Sequence, residues 1–314
     1  MEFFSALLRA MPGAVAQGLL WGVMALGVYV TYKILDYADL TVDGSLALGG
    51  AVSAILVKNG MDPFLSLLFA TVAGMAAGAV TGLLHTKLKI PAILSGILSM
   101  IALYSINIRI MGTPNISFGL KIPTMVKIVR EWFPALSQEV ATILIGGVFL
   151  AVIVGFLYWF FGTEVGSAIR ATGNNEYMAR ALGVSTDWMK ILALLISNAL
   201  VSLSGAMIAQ YQGYSDVKMG TGAIVTGLAS VIIGLVVGEA VCRKKFPFAI
   251  RLIAVVFGSV LYRIIIALVL QLGLSTDDLK LFTAIIVAVA LAIPYLKSRI
   301  FKGRKKQKGG TPAC

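Results

Sequence analysis

A chain of 314 residues in which 59% are hydrophobic and 13% charged, with a mean hydropathy of +0.93, has too few polar side chains to cover a water-facing surface. That excludes an ordinary soluble domain and makes lipid the solvent. The net charge of +12 is no nucleic-acid footprint, because the Lys and Arg residues lie between apolar runs and in the C-terminal tail rather than on one patch.

The N-terminal segment 1–13 carries Glu2 and Arg9 and lacks the basic start and small-residue cleavage site of a signal peptide, so it is expected to stay in the mature chain. A membrane-crossing helix needs about 20 mostly apolar residues. That rule gives spans near 14–35, 46–59, 63–84, 91–111, 138–162, 189–211, 221–238, 247–271 and 279–297. The expected fold is an all-α integral membrane protein, a polytopic bundle of about nine transmembrane helices (roughly 8–10). Residues 14–297 form its single membrane domain, followed by a basic cytoplasmic tail, 298–314. The second span is short and glycine-rich and follows the polar stretch Asp36–Ser45, which marks a broken or buried helix shielded by protein.

Lys and Arg concentrate on the cytoplasmic side of membrane proteins. With the N-terminus outside and the C-terminus inside, sixteen of the 26 basic residues fall in inner segments and seven in outer ones. Arg109, Arg251 and Arg263 remain in spans. Arg263 is read mainly as structural, and Asn198, mid-span, as an interhelical hydrogen bond or a residue of the transport path. In the outer connection 112–137, Met125, Ile128, Val129, Trp132 and Phe133 recur at helical spacing, predicting a short surface helix with Trp132 at headgroup depth. Gly74, Gly78 and Gly82 repeat every four residues on one face, as do Gly18 with Gly22 and Gly234 with Gly238, which predicts close helix packing.

Chemistry is sparse. No G-x-x-x-x-G-K-[ST] segment is present, so this chain binds no ATP through a P-loop. No catalytic motif and no metal-ligand cluster stands out, so neither catalytic nor metal residues are assigned and no cofactor is expected on this chain. Cys242 and Cys314 are expected as unpaired cytosolic thiols. Asp and Glu are read as avoiding the span centres, which leaves an ion-coupled carrier without its buried carboxylate and moves the energy source to another subunit.

The inner loop 163–190 is the most informative stretch. Asn174 or Asn175 can cap a short helix, with Glu176 in its first turn and Gly183 closing it in a left-handed cap. Tyr177, Met178, Ala181 and Leu182 share one face, which either rests on the membrane surface or offers itself to a partner.

At these residues the chain resembles the permease family of ABC importers for branched-chain amino acids and ribose, whose cytoplasmic coupling motif matches Asn175-Glu176, Ala179, Ala181, Gly183 and Val184. The likeness extends to Asp39-Leu40-Thr41-Val42-Asp43-Gly44-Ser45, Leu203-Ser204-Gly205 and Gly220-Thr221-Gly222, with Ala229–Gly234 following, and covers roughly residues 20–235. Asp43 is an extra residue relative to the sugar-transporting branch, Leu235 replaces a common second glycine, and Cys242–Lys245 occupies a usually glycine-rich region. The overall pattern resembles amino-acid-type members, with a branched-chain or aromatic cargo.

The resemblance implies that Asn174, Asn175, Glu176, Tyr177, Ala181 and Gly183 dock on a cytoplasmic P-loop ATPase subunit that uses the ATP. It further implies a second permease chain, identical or homologous, and an extracytoplasmic solute-binding protein. Gly44, Ser45, Gly49, Gly50 and Asn198 are candidates for the translocation path. The location implied is the inner or plasma membrane, in contact with lipid and not with nucleic acid. The alternative is a self-sufficient secondary carrier or channel.

Overall fold

Helix α1 (Glu2–Tyr29) begins the chain without a break between the expected N-terminal segment and the first span, and ends in a π-helical turn, Val30–Ile34. The structure, a computed structural model, describes residues 2–119, 122–241 and 247–271, with Leu281, Ala284, Ile285 and Ala288 beyond them. After residues 35–40, α2 (Thr41–Lys58) leads to α3 (Pro63–Thr86). Asp62 starts α3 by accepting from the Phe64 and Leu65 N–H groups, which have no partner inside the helix, and Pro63 fits the first turn because it needs no donor there. Helix α4 (Ala92–Met111) stops at Gly112, whose φ of 70° lies in the left-handed region that favours glycine.

Strand β1 (Asn115–Ser117) and helix α5 (Met125–Trp132) fill the next connection, and α6 (Gln138–Gly162) crosses back. Two short helices, α7 (Glu164–Asn174) and α8 (Glu176–Ala181), precede the long α9 (Thr186–Gln212). Strand β2 (Tyr214–Asp216) pairs antiparallel with β1, and α10 (Ala223–Val241) and α11 (Phe248–Gln271) follow. Among the described residues, eight helices are long and apolar enough to cross a membrane. They coincide with the first eight expected spans. Most of the ninth, 279–297, lies outside the described residues, as do the tail 298–314, Cys242 and Cys314.

Helix α9 is the axis of the bundle, with every residue from Ser197 to Gln210 buried. It carries a row of serines whose hydroxyls donate to neighbouring carbonyls. Ser197 reaches Gly27 O (2.8 Å), Ser202 reaches Ala70 O (2.6 Å) and Ser204 reaches Leu20 O (2.8 Å). In lipid such bonds hold helices together where the hydrophobic effect cannot. The glycine ladder of α3 lies against this helix. A Cβ at Gly74 would overlap the Asn198 carbonyl, one at Gly78 the Leu194 carbonyl, and one at Gly82 would press on Ile191. Apolar side chains facing away from the axis, such as Leu68 and Val72 on α3 or Val148 and Val152 on α6, are exposed to the lipid side. Helix α5 forms as expected, with Met125 and Val126 buried and Trp132 exposed. Arg263 lies over the Trp21 ring (4.1 Å to the centroid) and donates to Gln17 Oε1 (3.4 Å), so it ties α11 to α1.

Two expectations need correction. Helix α2 starts at Thr41 rather than near residue 46, and the residues before it include a buried acid. Asp39 is buried and accepts from Asn198 Nδ2 (2.8 Å), and Asn198 sits near the middle of α9. Acidic residues therefore do enter the interior. The reason is local: Asn198 and the Thr41 N–H (2.9 Å) satisfy the Asp39 carboxylate. The argument against an ion-coupled carrier from missing buried acids falls with it.

Gly78→Val should displace α3 from α9. Overpacking of this kind costs about 1–3 kcal/mol, and it should appear as a lower thermal midpoint and an aggregated fraction on size-exclusion of the detergent-solubilised protein.

Candidate functional site

Two regions concentrate the expected site residues. At the end of the bundle formed by the start of α9 and the α3–α4 connection, α8 stands clear of the helices as a small bracket. Asn175 supplies its cap, its side chain accepting from the Met178 N–H (3.0 Å), while Asn174 is the last residue of α7. The helix closes as predicted. Gly183 has φ +84°, its N–H donates to Arg180 O (3.0 Å), and the Val184 N–H donates to Ala179 O (3.1 Å). This paired pattern satisfies two carbonyls that a helix end otherwise leaves open. Tyr177, Met178 and Leu182 are 87%, 63% and 74% exposed, and Ala181 is exposed beside them.

Glu176 points the other way. Its Oε2 accepts from Lys190 Nζ (2.7 Å) and its Oε1 from Arg180 (3.0 Å). Lys190 approaches His85 Nε2 (3.5 Å), while His85 Nδ1 meets Ile90 O (2.8 Å), so Nδ1 carries the ring proton. Arg180 also donates to Thr186 Oγ1 (2.8 Å) and Asp187 (3.4 Å), and Asp187 pairs with Lys89 (3.6 Å). The hydrogen bond from Lys190 holds the Glu176 carboxyl below the usual glutamate range, with the charges of Lys190 and Arg180 adding to it. The network clamps α8 to α9 and to the α3–α4 connection. Its Glu176–Arg180 pair was readable as an i,i+4 spacing. The roles of Lys190, His85 and Asp187 were not, because they come from other parts of the chain.

The second region lies where two helices begin inside the bundle. Helix α2 rises from Asp39, and α10 starts beside the first turn of α2. Asp43 accepts from the Gly222 N–H (2.9 Å) and the Ile224 N–H (2.9 Å), capping α10 from another helix. The Gly220-Thr221-Gly222 run is explained here. A Cβ at Gly220 would overlap the Asp43 carbonyl, and Gly222 has φ +82°. A cavity of about 340 Å³ adjoins this junction, bordered by Asp43, Gly44, Ile101, Tyr104, Asn107 and Thr221 among others. Of the candidate path residues, Gly44 borders the cavity. Ser45 lies behind it, donating to Asn198 Oδ1 (2.6 Å), Gly49 packs on Ser202, and Gly50 packs on Met219 and Ser215. Tyr104 and Asn107 were not singled out in the sequence, where a tyrosine and an asparagine in an apolar run carry no distinguishing pattern, while Thr221 stood out only as part of the Gly220–Gly222 motif. Among the described residues, no group of three or more His, Cys, Asp or Glu could hold a metal ion.

Residues 11–294 match the family described as branched-chain amino acid transport system, permease component. The chain belongs to this permease family. The permease is 40% identical over 291 residues to a tyrosine transport system permease protein of Clostridioides difficile (strain R20291), covering 92% of this chain and 93% of the relative. It is 26% identical over 275 residues to the ribose import permease protein of Escherichia coli (strain K12), covering 86% and 81%. Its fold is similar to a solved ABC transporter of metal-chelate type in an inward-facing conformation, with a TM-score of 0.52 at 14% identity, over 91% of this chain and 86% of that one. The multi-pass membrane protein expected from composition is thus an ABC-type permease, a class of subunit that is typically non-catalytic.

The ionised Glu176 is the form its partners favour, so its stabilisation of the bracket is fully present above the ordinary glutamate pKa of about 4.3 and is lost as pH falls through the lower folded value. Both carboxylate and partners are partly solvated, so the loss should be under about 1 kcal/mol. Protection factors of the Tyr177–Gly183 amides, taken relative to the intrinsic exchange rate at each pH, should fall on acidification. In Lys190→Met the onset should move to higher pH.

Proposed function

We propose that the permease is the translocating subunit of an ATP-binding-cassette importer for an amino acid with an aromatic or branched side chain, and that α8 is its docking element for the ATPase. The observation that carries the docking is the exposed face of Tyr177, Met178 and Leu182 on a helix whose opposite side is locked to α9 through Glu176 and Lys190. A surface helix that only rested on lipid would need no such bracing. A helix that must transmit force has to be stiff. Asn175 and Gly183 set the two ends of this helix, Tyr177 and Ala181 lie on the outer face, and Glu176 acts from behind as a positioning residue.

In this reading ATP is bound and hydrolysed by a separate cytoplasmic P-loop subunit, and this chain holds no cofactor. A second permease chain, the same or homologous, completes the pathway, and an extracytoplasmic binding protein delivers the solute. The bias of Lys and Arg puts α8 and the C-terminus in the cytoplasm and the N-terminus outside, with the whole in the cell membrane. The amino-acid cargo is supported by the extensive likeness to a permease named for tyrosine transport.

Gly183→Val should leave the protein inserted but impair uptake, since a β-branched residue resists positive φ. Leu182→Glu should release the ATPase subunit on gentle detergent purification. Transport and co-purification at the unmodified level in both variants would remove the docking assignment.

A further inference from the structure

Behind the wall of the cavity beside Asp43 the fold leaves a polar atom without a partner. Asn107 is completely buried on α4. Its Nδ2 donates to Gly44 O (3.3 Å), which fixes the amide orientation because a carbonyl can only accept. Oδ1 is left with no hydrogen bond in the bundle. An unpartnered buried acceptor costs roughly 1–3 kcal/mol, so a ligand donor that fills it gains what the protein forgoes. Asp43 borders the same cavity and, among the described residues, is the only charged side chain on its wall. Its oxygens accept the N–H groups of Gly222 and Ile224, with that of Ala223 beside them, and a carboxylate has about four acceptor positions.

These two acceptors ask for a donor that is also cationic. Around them the wall is apolar and aromatic. Met100 and Ile101 flank the space, and Tyr104, 46% exposed, offers a ring. The hydroxyls of Thr221 and Tyr104 are available to a carboxylate. From this juxtaposition we infer that the cavity between α2, α4 and the start of α10 is a recognition site for the primary ammonium group of an amino acid whose side chain is apolar or aromatic. Asp43 and Asn107 Oδ1 hold the ammonium, and Met100, Ile101 and Tyr104 receive the side chain. The inference rests on the amino-acid importer reading and adds where this chain recognises its cargo.

The test is cysteine alkylation in proteoliposomes that hold the complete transporter, in a Cys242→Ser, Cys314→Ser background. Thr221→Cys places a thiol on the cavity wall, and its rate of reaction with N-ethylmaleimide is followed with L-tyrosine, L-leucine or 3-(4-hydroxyphenyl)propionate, which lacks only the amino group of tyrosine. Protection follows 1 + [L]/Kd, so alkylation should slow about tenfold at roughly ten times Kd with at least one of the amino acids and not with the propionate. Adding Asp43→Asn or, separately, Asn107→Leu should abolish protection in protein that elutes as the unmodified complex does. Equal protection by the propionate would overturn the ammonium assignment. Uptake of tyrosine or leucine by the unmodified transporter without protection of the thiol would overturn the site and leave the importer reading standing. Uptake of neither would overturn the amino-acid cargo and this site together.

Discussion

Asn198 stands at the point on which the membrane domain depends. A chain that breaks its helix inside a bilayer must satisfy freed polar groups from within the protein, because no water is there to do it. One side-chain amide does much of that work. Its Nδ2 donates to Asp39 (2.8 Å) and to Leu194 O (3.0 Å), and its Oδ1 accepts from Ser45 (2.6 Å). The bonds cross from α9 to the residues before α2 and to the first turns of α2, so they set where the second span begins within the bundle. Gly74 lets the backbone of α3 close over the same spot. Near the other end of α9, Gln210 performs a similar task, donating to Ser53, Ser66 and Pro63 O, each at 3.0 Å, and accepting from the Met125 N–H (2.9 Å). The axis is therefore fastened at its middle and at its far end by a single carboxamide each.

Between the bracket and the start of α2 the contacts are continuous. Glu176 holds Lys190, Lys190 meets His85, and the His85 ring packs edge-on against Tyr37 at 5.1 Å. The Tyr37 hydroxyl bonds Ser95 (2.8 Å) at the start of α4, and two residues further on Asp39 reaches Asn198. A displacement of α8 therefore meets both α4 and the residues before α2 through side chains already in contact. Packed networks of this kind move between discrete arrangements rather than deform smoothly. The elements at the end of that route, α2 and α4, are the ones that border the cavity.

Much of this architecture was legible in the sequence, and the boundary of legibility has a physical cause. Span positions follow from runs of apolar residues, the glycine ladder of α3 from a four-residue repeat, and the cap at Gly183 from local chemistry that needs no knowledge of neighbours. The start of α2 was misjudged because Asp36, Asp39 and Asp43 raise the polarity of the stretch, and polarity alone says nothing about a partner 159 residues away. The ends of the bracket were visible for the same reason the cap was. Its anchoring was not, because Lys190 and His85 are joined to Glu176 only by the fold. The cavity was the least visible of all: its wall draws on α2, α4 and the approach to α10, and Asn107 becomes conspicuous only when its unused oxygen is counted.

Asp43 connects the junction of α2 and α10 to the choice of cargo in chemical terms. In the fold the residue meets the N–H groups at the start of α10. Those dipoles offset part of the cost of holding a carboxylate away from water. They do not remove the charge from the cavity it borders. For a sugar, a cargo without a cation, that charge would be an unrecovered cost at the binding step. For an amino acid it becomes the partner that an ammonium must find if it is to leave water at all. A helix start capped in trans by an acid from a second helix start is thus a way to keep a negative group inside a membrane, ready for a positive ligand, while the same group keeps the two helices together.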